Sequence, residues 1–180
     1  MKSIALLDKT FEHYLGESEI QSLVKGLARG LQAELQGETP LFIGVLNGAI
    51  LFFADFIRYY ESACEVSFVR LASYKGLRSK GEIKTLLDID ADLTDRTVVI
   101  LEDVVDSGKT LQRIGELFTD RGAKSVKVIA LFVKFDACKG PLPISRIGQV
   151  IPNRFVVGYG LDYNGLGRNL RAIYQLSAET

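Results

Sequence analysis

Apolar residues at Ile20, Leu23, Val24, Leu27, Leu31 and Leu35 recur at helical spacing, which predicts a helix with one buried face over residues 17–36. Ser18 with Gln21 offers a capping box at its start, and Gly37 ends it. The unbroken apolar run Leu41–Leu46 reads as a buried strand, and Ala49–Tyr60, after Asn47-Gly48, as a second helix. Glu65–Ser73 alternates, with Val66, Phe68 and Leu71 on the apolar side, as a strand does. Tyr74–Lys84 is polar, carries Gly76 and Gly81 and has no periodicity, which predicts a mobile loop. A strand at Val98–Leu101, a helix at Thr110–Asp120 stopped by Gly122, and a strand at Val126–Val133 follow, then a mixed segment leading to Phe155-Val156-Val157. Strands alternating with helices argue an α/β fold, a parallel sheet core flanked by helices on both faces. Ligands in such sheets sit beyond the carboxyl ends of the strands, which is where Glu102-Asp103 fall.

Composition narrows the chemistry. The 180 residues suit one domain spanning 1–180, long enough to bury roughly 70% of the unfolded surface. Lys plus Arg and Asp plus Glu are 22 each, so no overall field draws nucleic acid or anionic lipid. The longest uncharged stretch, Thr39–Ala54, is shorter than the ~18–20 residues of a membrane helix. No signal-peptide core opens the chain, and a cytoplasmic protein with no membrane partner is expected. Cys64 and Cys138 are too far apart for a zinc knuckle and read as small packed residues. His13 is the sole histidine, so acid–base chemistry falls to Asp, Glu, Lys or Tyr.

The most informative run is Val98-Val99-Ile100-Leu101-Glu102-Asp103-Val104-Val105-Asp106-Ser107-Gly108-Lys109-Thr110. A buried strand, two adjacent carboxylates and a turn into a helix aim free backbone N–H groups above the sheet, where the helix dipole favours an anion. Gly108-Lys109-Thr110 matches half of a nucleotide-binding P-loop, but Asp103 stands where that loop needs its first glycine. Paired carboxylates suit the neighbouring hydroxyls of a sugar, so the ligand indicated is a ribose with a 5′-phosphate.

This run resembles the 5-phosphoribosyl-1-diphosphate (PRPP) motif of type I phosphoribosyltransferases. The resemblance implies that fold, with a small hood built from the N- and C-terminal segments. It also implies Glu102 and Asp103 on the ribose hydroxyls and Asp106, Ser107, Gly108, Lys109 and Thr110 around the 5′-phosphate. A second signature, Asn153-Arg154-Phe155-Val156-Val157-Gly158-Tyr159-Gly160-Leu161-Asp162-Tyr163-Asn164 with Arg168-Asn169-Leu170, is similar to the carboxyl-terminal segment of the hypoxanthine-guanine branch, which uses 6-oxopurines.

That branch implies further roles. Phe155 stacks on the purine, an interaction worth ~1–3 kcal/mol in nucleic-acid sites. Backbone groups at Val156 read the base edge, Asp162 lies nearby, and Lys134, at the end of a strand, donates to O6. Asp106 takes the N7 proton, although a turn Asp also reads as a helix cap. Leu46-Asn47-Gly48 is the diphosphate loop, often with a cis peptide, and lacks the basic residue many members carry at Asn47. Arg168 binds diphosphate. Ser73 and Tyr74 belong to a lid over about 74–84 that excludes water. Gly165-Leu166-Gly167 stands where relatives often carry an aromatic. Mg2+ is the implied cofactor, with Glu102, Asp103 and Asp162 as its acids and PRPP oxygens completing its shell. A homodimer or homotetramer is implied. The expected reaction is transfer from PRPP to hypoxanthine, and to guanine, in purine salvage. Two alternatives stand beside it: the same fold acting on xanthine or another base, and a PRPP-sensing regulator that binds RNA or DNA through a basic face (Lys75, Arg78, Lys80, Lys84).

Overall fold

The computed structural model describes residues 3–73, 83–87, 89, 91–137 and 144–178. In chain order these form β1 (Ser3–Leu6), β2 (Lys9–Leu15), α1 (Glu17–Glu34), β3 (Leu41–Leu46), α2 (Ile50–Tyr59), β4 (Glu65–Ser73) and β5 (Ile83–Leu87). Then come β6 (Thr97–Val105), α3 (Lys109–Asp120), β7 (Ser125–Val133), β8 (Arg146–Val150), β9 (Val156–Val157) and β10 (Ile173–Leu176). The larger sheet has the order β5-β4-β3-β6-β7-β8, parallel throughout except for β5, which runs antiparallel to β4. The chain winds outward from β3 in one direction and from β6 in the other. Those two strands are neighbours, so the sheet's topological switch point lies between their carboxyl ends.

The central strands read as unbroken apolar runs because both faces are covered. Val98 and Ile100 of β6 pack with Leu111, Ile114 and Phe118 of α3, whereas Val99 and Leu101 pack with Phe42, Phe52, Phe56 and the α1 residues Ile20 and Val24. Each such side chain contributes about 1.5–3 kcal/mol on leaving water. The acidic pair does not end the strand as expected. Ladder bonding to β7 carries β6 on to Val105, so Glu102 and Asp103 lie inside its last turn of pleat.

A second, four-stranded sheet in the order β1-β2-β10-β9 joins the two ends of the chain into the hood. Its strands escape a periodicity reading because they are short and one-sided: β9 has 2 residues, and β2 fully buries only Phe11 and Leu15. The α1 cap also differs from the expected Ser18–Gln21 box. The helix opens after Gly16, whose N–H donates to the Glu19 carboxylate at 2.9 Å, and Gln21 is drawn instead to Asp55. The expected 74–84 loop is shorter, because Ile83 and Lys84 already pair with β4. Residues 74–82 of that lid, with Tyr74, lie outside the described residues, as does Cys138. Among the described residues no helix is long and apolar enough to cross a membrane.

Candidate active site

At the switch point, β6 presents Glu102 and Asp103 and then turns through Asp106-Ser107-Gly108 into α3. Gly108 takes φ +72°, the left-handed conformation that glycine adopts without steric cost, and as the N-cap residue it brings no side-chain cap of its own. A cavity of about 280 Å3 opens here, lined by Glu102, Val104, Val105, Asp106, Ser107, Gly108, Thr110 and Leu111. Free N–H groups at the start of a 12-residue helix make it an anion cradle.

The acids beside it are poised for a ligand. Oε2 of Glu102 is buried and, among the described residues, has no hydrogen-bond partner. Burial, and then the charges of Asp103 and Asp106, push the Glu102 carboxyl well above the usual carboxylate range. Burial raises Asp103 to about 6, against the opposing pull of the Val104 N–H, which donates to it at 2.8 Å, and of the Arg168 charge. A desolvated acid pair with an orphaned oxygen is costly unless something arrives to pair with it.

Two glycines bring the diphosphate-loop candidate against this pair. Leu46-Asn47 is a cis peptide, as the resemblance implies. A Cβ on Gly48 would fall 1.8 Å from Oδ2 of Asp103, and a Cβ on Gly160 would fall 2.0 Å from the carbonyl oxygen of Gly48. Only glycine permits either approach. The turn of the hood is therefore stacked backbone on backbone against the loop after β3, and that loop against the Asp103 carboxylate of β6.

Lys134 follows β7 and is buried, and its Nζ stands 2.8 Å from Oδ1 of Asp106, whose side chain is 64% exposed. Phe155 is half-exposed, its ring 6.3 Å from Phe11 and 5.9 Å from Tyr163, while Val156 beside it is buried in β9. Arg168 reaches the same stack: Nη1 donates to the carbonyl of Gly160 at 2.7 Å, and Nη2 meets Oδ1 of Asp162 at 2.5 Å. Asp162 also accepts the Gly165 N–H. Asp162 is thus engaged by Arg168 and Gly165, and among the described residues no three His, Cys, Asp or Glu side chains gather as a metal-holding group. The structure brings together Glu102, Asp103, Asp106–Thr110, the 46–48 loop, Gly160 and Arg168. Ser73 ends β4, its backbone paired with Ile83. Sequence reasoning missed what the Gly158-Tyr159-Gly160 turn does. Two glycines flanking an aromatic were the available signal.

A strand-switch site with an anion cradle, a half-buried acid pair and a glycine-tight loop defines an enzyme class that acts on phosphorylated sugars. Residues 13–164 match the family model described as the phosphoribosyl transferase domain, and the chain belongs to the phosphoribosyltransferase family. It is 42% identical over 157 residues to the hypoxanthine-guanine phosphoribosyltransferase of Bacillus subtilis, covering 87% of both chains. It is also 40% identical over 166 residues to the bifunctional protein TilS/HprT of Listeria innocua; these are 92% of this chain but only 26% of that longer protein. The crystal structure of a hypoxanthine phosphoribosyltransferase from Staphylococcus aureus superposes with a TM-score of 0.87 at 34% identity, over 93% of this chain and 92% of that one. Within the family, the chain falls in this hypoxanthine-guanine branch.

Proposed function

We propose that this chain transfers the 5-phosphoribosyl group of PRPP to N9 of hypoxanthine or guanine, giving the nucleoside 5′-monophosphate and diphosphate. The observation that carries this reading is the half-buried pair Glu102 and Asp103 at the mouth of the anion cradle, with Oε2 of Glu102 buried and unpartnered among the described residues and Asp103 pressed against Gly48. An anion cradle alone suits any phosphate. The acid pair adds acceptors for two vicinal hydroxyls.

In this reading the cradle from Asp106 to Thr110 holds the 5′-phosphate, and Glu102 and Asp103 hold the ribose hydroxyls. Backbone N–H groups of the Leu46–Gly48 loop and the Arg168 guanidinium hold the diphosphate, with no side-chain cation at Asn47. N9 attacks C1′ as the bond from C1′ to the diphosphate oxygen breaks, through an oxocarbenium-like state. The proton the purine loses goes to Asp106, which Lys134 holds at 2.8 Å. The Lys134 ammonium can donate hydrogen bonds but not accept them, so it favours the O6 carbonyl of a 6-oxopurine over the amino group of adenine. Phe155 offers its exposed ring to the base. By the family resemblance, Ser73 and Tyr74 are assigned to the diphosphate and to keeping water from the cationic sugar.

The acid pair also fits Mg2+, a hard cation that takes one or two carboxylates and completes its shell with phosphate oxygens and water. Glu102 and Asp103 would hold it, with Asp162 the third acid of the site, and the ion would neutralise charge on the leaving diphosphate. We place the enzyme in the cytoplasm as a homodimer or homotetramer, on the family resemblance alone. The test is product analysis of purified protein with PRPP, Mg2+ and each of five nucleobases. Hypoxanthine and guanine are expected to give IMP and GMP. Efficient AMP formation, or no nucleotide at all, contradicts the reading.

A further inference from the structure

The stack of backbone contacts at the diphosphate end has to be held from behind, because glycines offer no side chains to fix it. Gly158, Tyr159 and Gly160 take φ values of +101°, +48° and +97°, three successive residues in the left-handed region. Glycine adopts that region freely, and a bulky aromatic does not. Tyr159 is kept there by what its side chain reaches. The ring is 5% exposed, and the hydroxyl donates to Oδ2 of Asp55 at 2.6 Å.

Asp55 belongs to α2, the helix that starts at Ile50, directly after the Leu46–Gly48 loop. Its carboxylate also accepts the side-chain amide of Gln21 from α1 and faces Arg58 at 3.9 Å. Gln21 in turn accepts the Tyr59 hydroxyl at 3.0 Å. Burial and then the Asp55 carboxylate push the Tyr159 phenol up, so it stays a neutral donor. A line of contacts therefore runs from the α1–α2 interface through Asp55 and Tyr159 to Gly160, on to Gly48, and ends at Asp103.

We propose that Asp55 and Tyr159 are positioning residues: a clamp that presses the Gly160 turn onto the Gly48 loop and so sets the diphosphate half of the site. The clamp rests on the phosphoribosyl-transfer reading above. Neither residue touches substrate. Both act through the two glycines and through Arg168, whose guanidinium is bonded to the Gly160 carbonyl. The 5′-phosphate half is built on another element, Asp106 to Thr110 at the turn into α3, and the base half on Lys134 after β7 and on Phe155 and Val156, which come before the turn. Loosening the clamp should thus weaken ligands that carry the diphosphate and spare those that do not.

The experiment is calorimetric titration of PRPP with Mg2+, and separately of IMP, into wild type, Tyr159→Phe, Asp55→Asn and Asp55→Ala. IMP occupies the base and 5′-phosphate subsites without a diphosphate. Tyr159→Phe is expected to raise the Kd for PRPP at least about tenfold and that for IMP less than about threefold. Asp55→Asn, which keeps an acceptor for the phenol, should retain more PRPP affinity than Asp55→Ala. PRPP affinity in Tyr159→Phe within about threefold of wild type overturns the clamp, as does an equal loss of PRPP and IMP. A wild type that binds IMP but not PRPP overturns the underlying reading instead.

Discussion

Gly48 and Asp103 sit so close that the smallest side chain on the first would lie 1.8 Å from Oδ2 of the second. Gly48 lies in the loop that follows β3 and Asp103 in the neighbouring strand β6, and they meet where the sheet reverses its winding. The loop and the acid pair are accordingly one object, and a change in either moves the other. Gly48→Ala is expected to cost roughly 100-fold or more in kcat/KM for PRPP, the scale of a 1 Å misplacement in a site. Steady-state kinetics checks this. A circular dichroism spectrum like wild type's would show that the sheet survives.

Asp106 separates two roles cleanly. The N-cap position of α3 is Gly108 and Asn keeps a capping oxygen, so Asp106→Asn should leave thermal stability within about 1 kcal/mol of wild type. Removal of its basicity is expected to lower kcat by roughly 10²–10⁴. Single-turnover rates check this, and a loss of only a few-fold contradicts the base assignment.

Lys134→Met removes the donor beside the base and leaves the Asp106 carboxylate without its partner at 2.8 Å. Asp106 is 64% exposed, so solvent screens the loss and the cost in stability is about 1 kcal/mol or less. Specificity should change far more. The preference for hypoxanthine over adenine is expected to fall by roughly 100-fold or more, measured as a ratio of kcat/KM values.

The acid pair also makes a pH prediction. Asp103 is raised to about 6 and Glu102 well above its usual range, so between about pH 4 and 6 the folded chain binds more protons than the unfolded one. Stability contributed by these groups therefore falls as pH rises through that window. Glu34, held low by Lys127 and then Arg146, gains protons only below the usual carboxylate range and does not oppose the trend above it. The melting temperature without ligand should rise as pH is lowered from 7 to 5. Asp103→Asn should be more stable than wild type at pH 7 by roughly 1–3 kcal/mol while binding PRPP poorly.

The legible parts of the molecule are those whose signal is local. Leu41–Leu46, Val98–Leu101 and Val126–Val133 announce buried parallel strands because both faces are apolar, and the Glu102–Thr110 run carries acids, turn and helix start in one stretch. The hood was legible only through resemblance. Its four strands are short, and their partners lie at opposite ends of the chain, as in Leu176 opposite Phe11. The tie between Tyr159 and Asp55 spans 104 residues, and nothing local marks the aspartate in an amphipathic helix as a partner. The α1 cap misled for a related reason. Ser18 and Gln21 have the right spacing, but Glu19 reaches Gly16 while Gln21 finds Asp55 in space.

The account turns on Glu102 and Asp103 as a half-buried acid pair that awaits the ribose of PRPP. The most direct test is calorimetric titration of PRPP with Mg2+ into wild type and the Glu102→Gln, Asp103→Asn double variant, at pH 7.5 and pH 5.5 without base. Wild type is expected to bind at pH 7.5, to release protons on binding, and to weaken at pH 5.5 as Asp103 gains its proton. The double variant is expected to lose at least about 100-fold in affinity, the loss of two charge-assisted hydrogen bonds, and to show no such pH dependence. A double variant that binds PRPP as tightly as wild type would contradict the account at its centre.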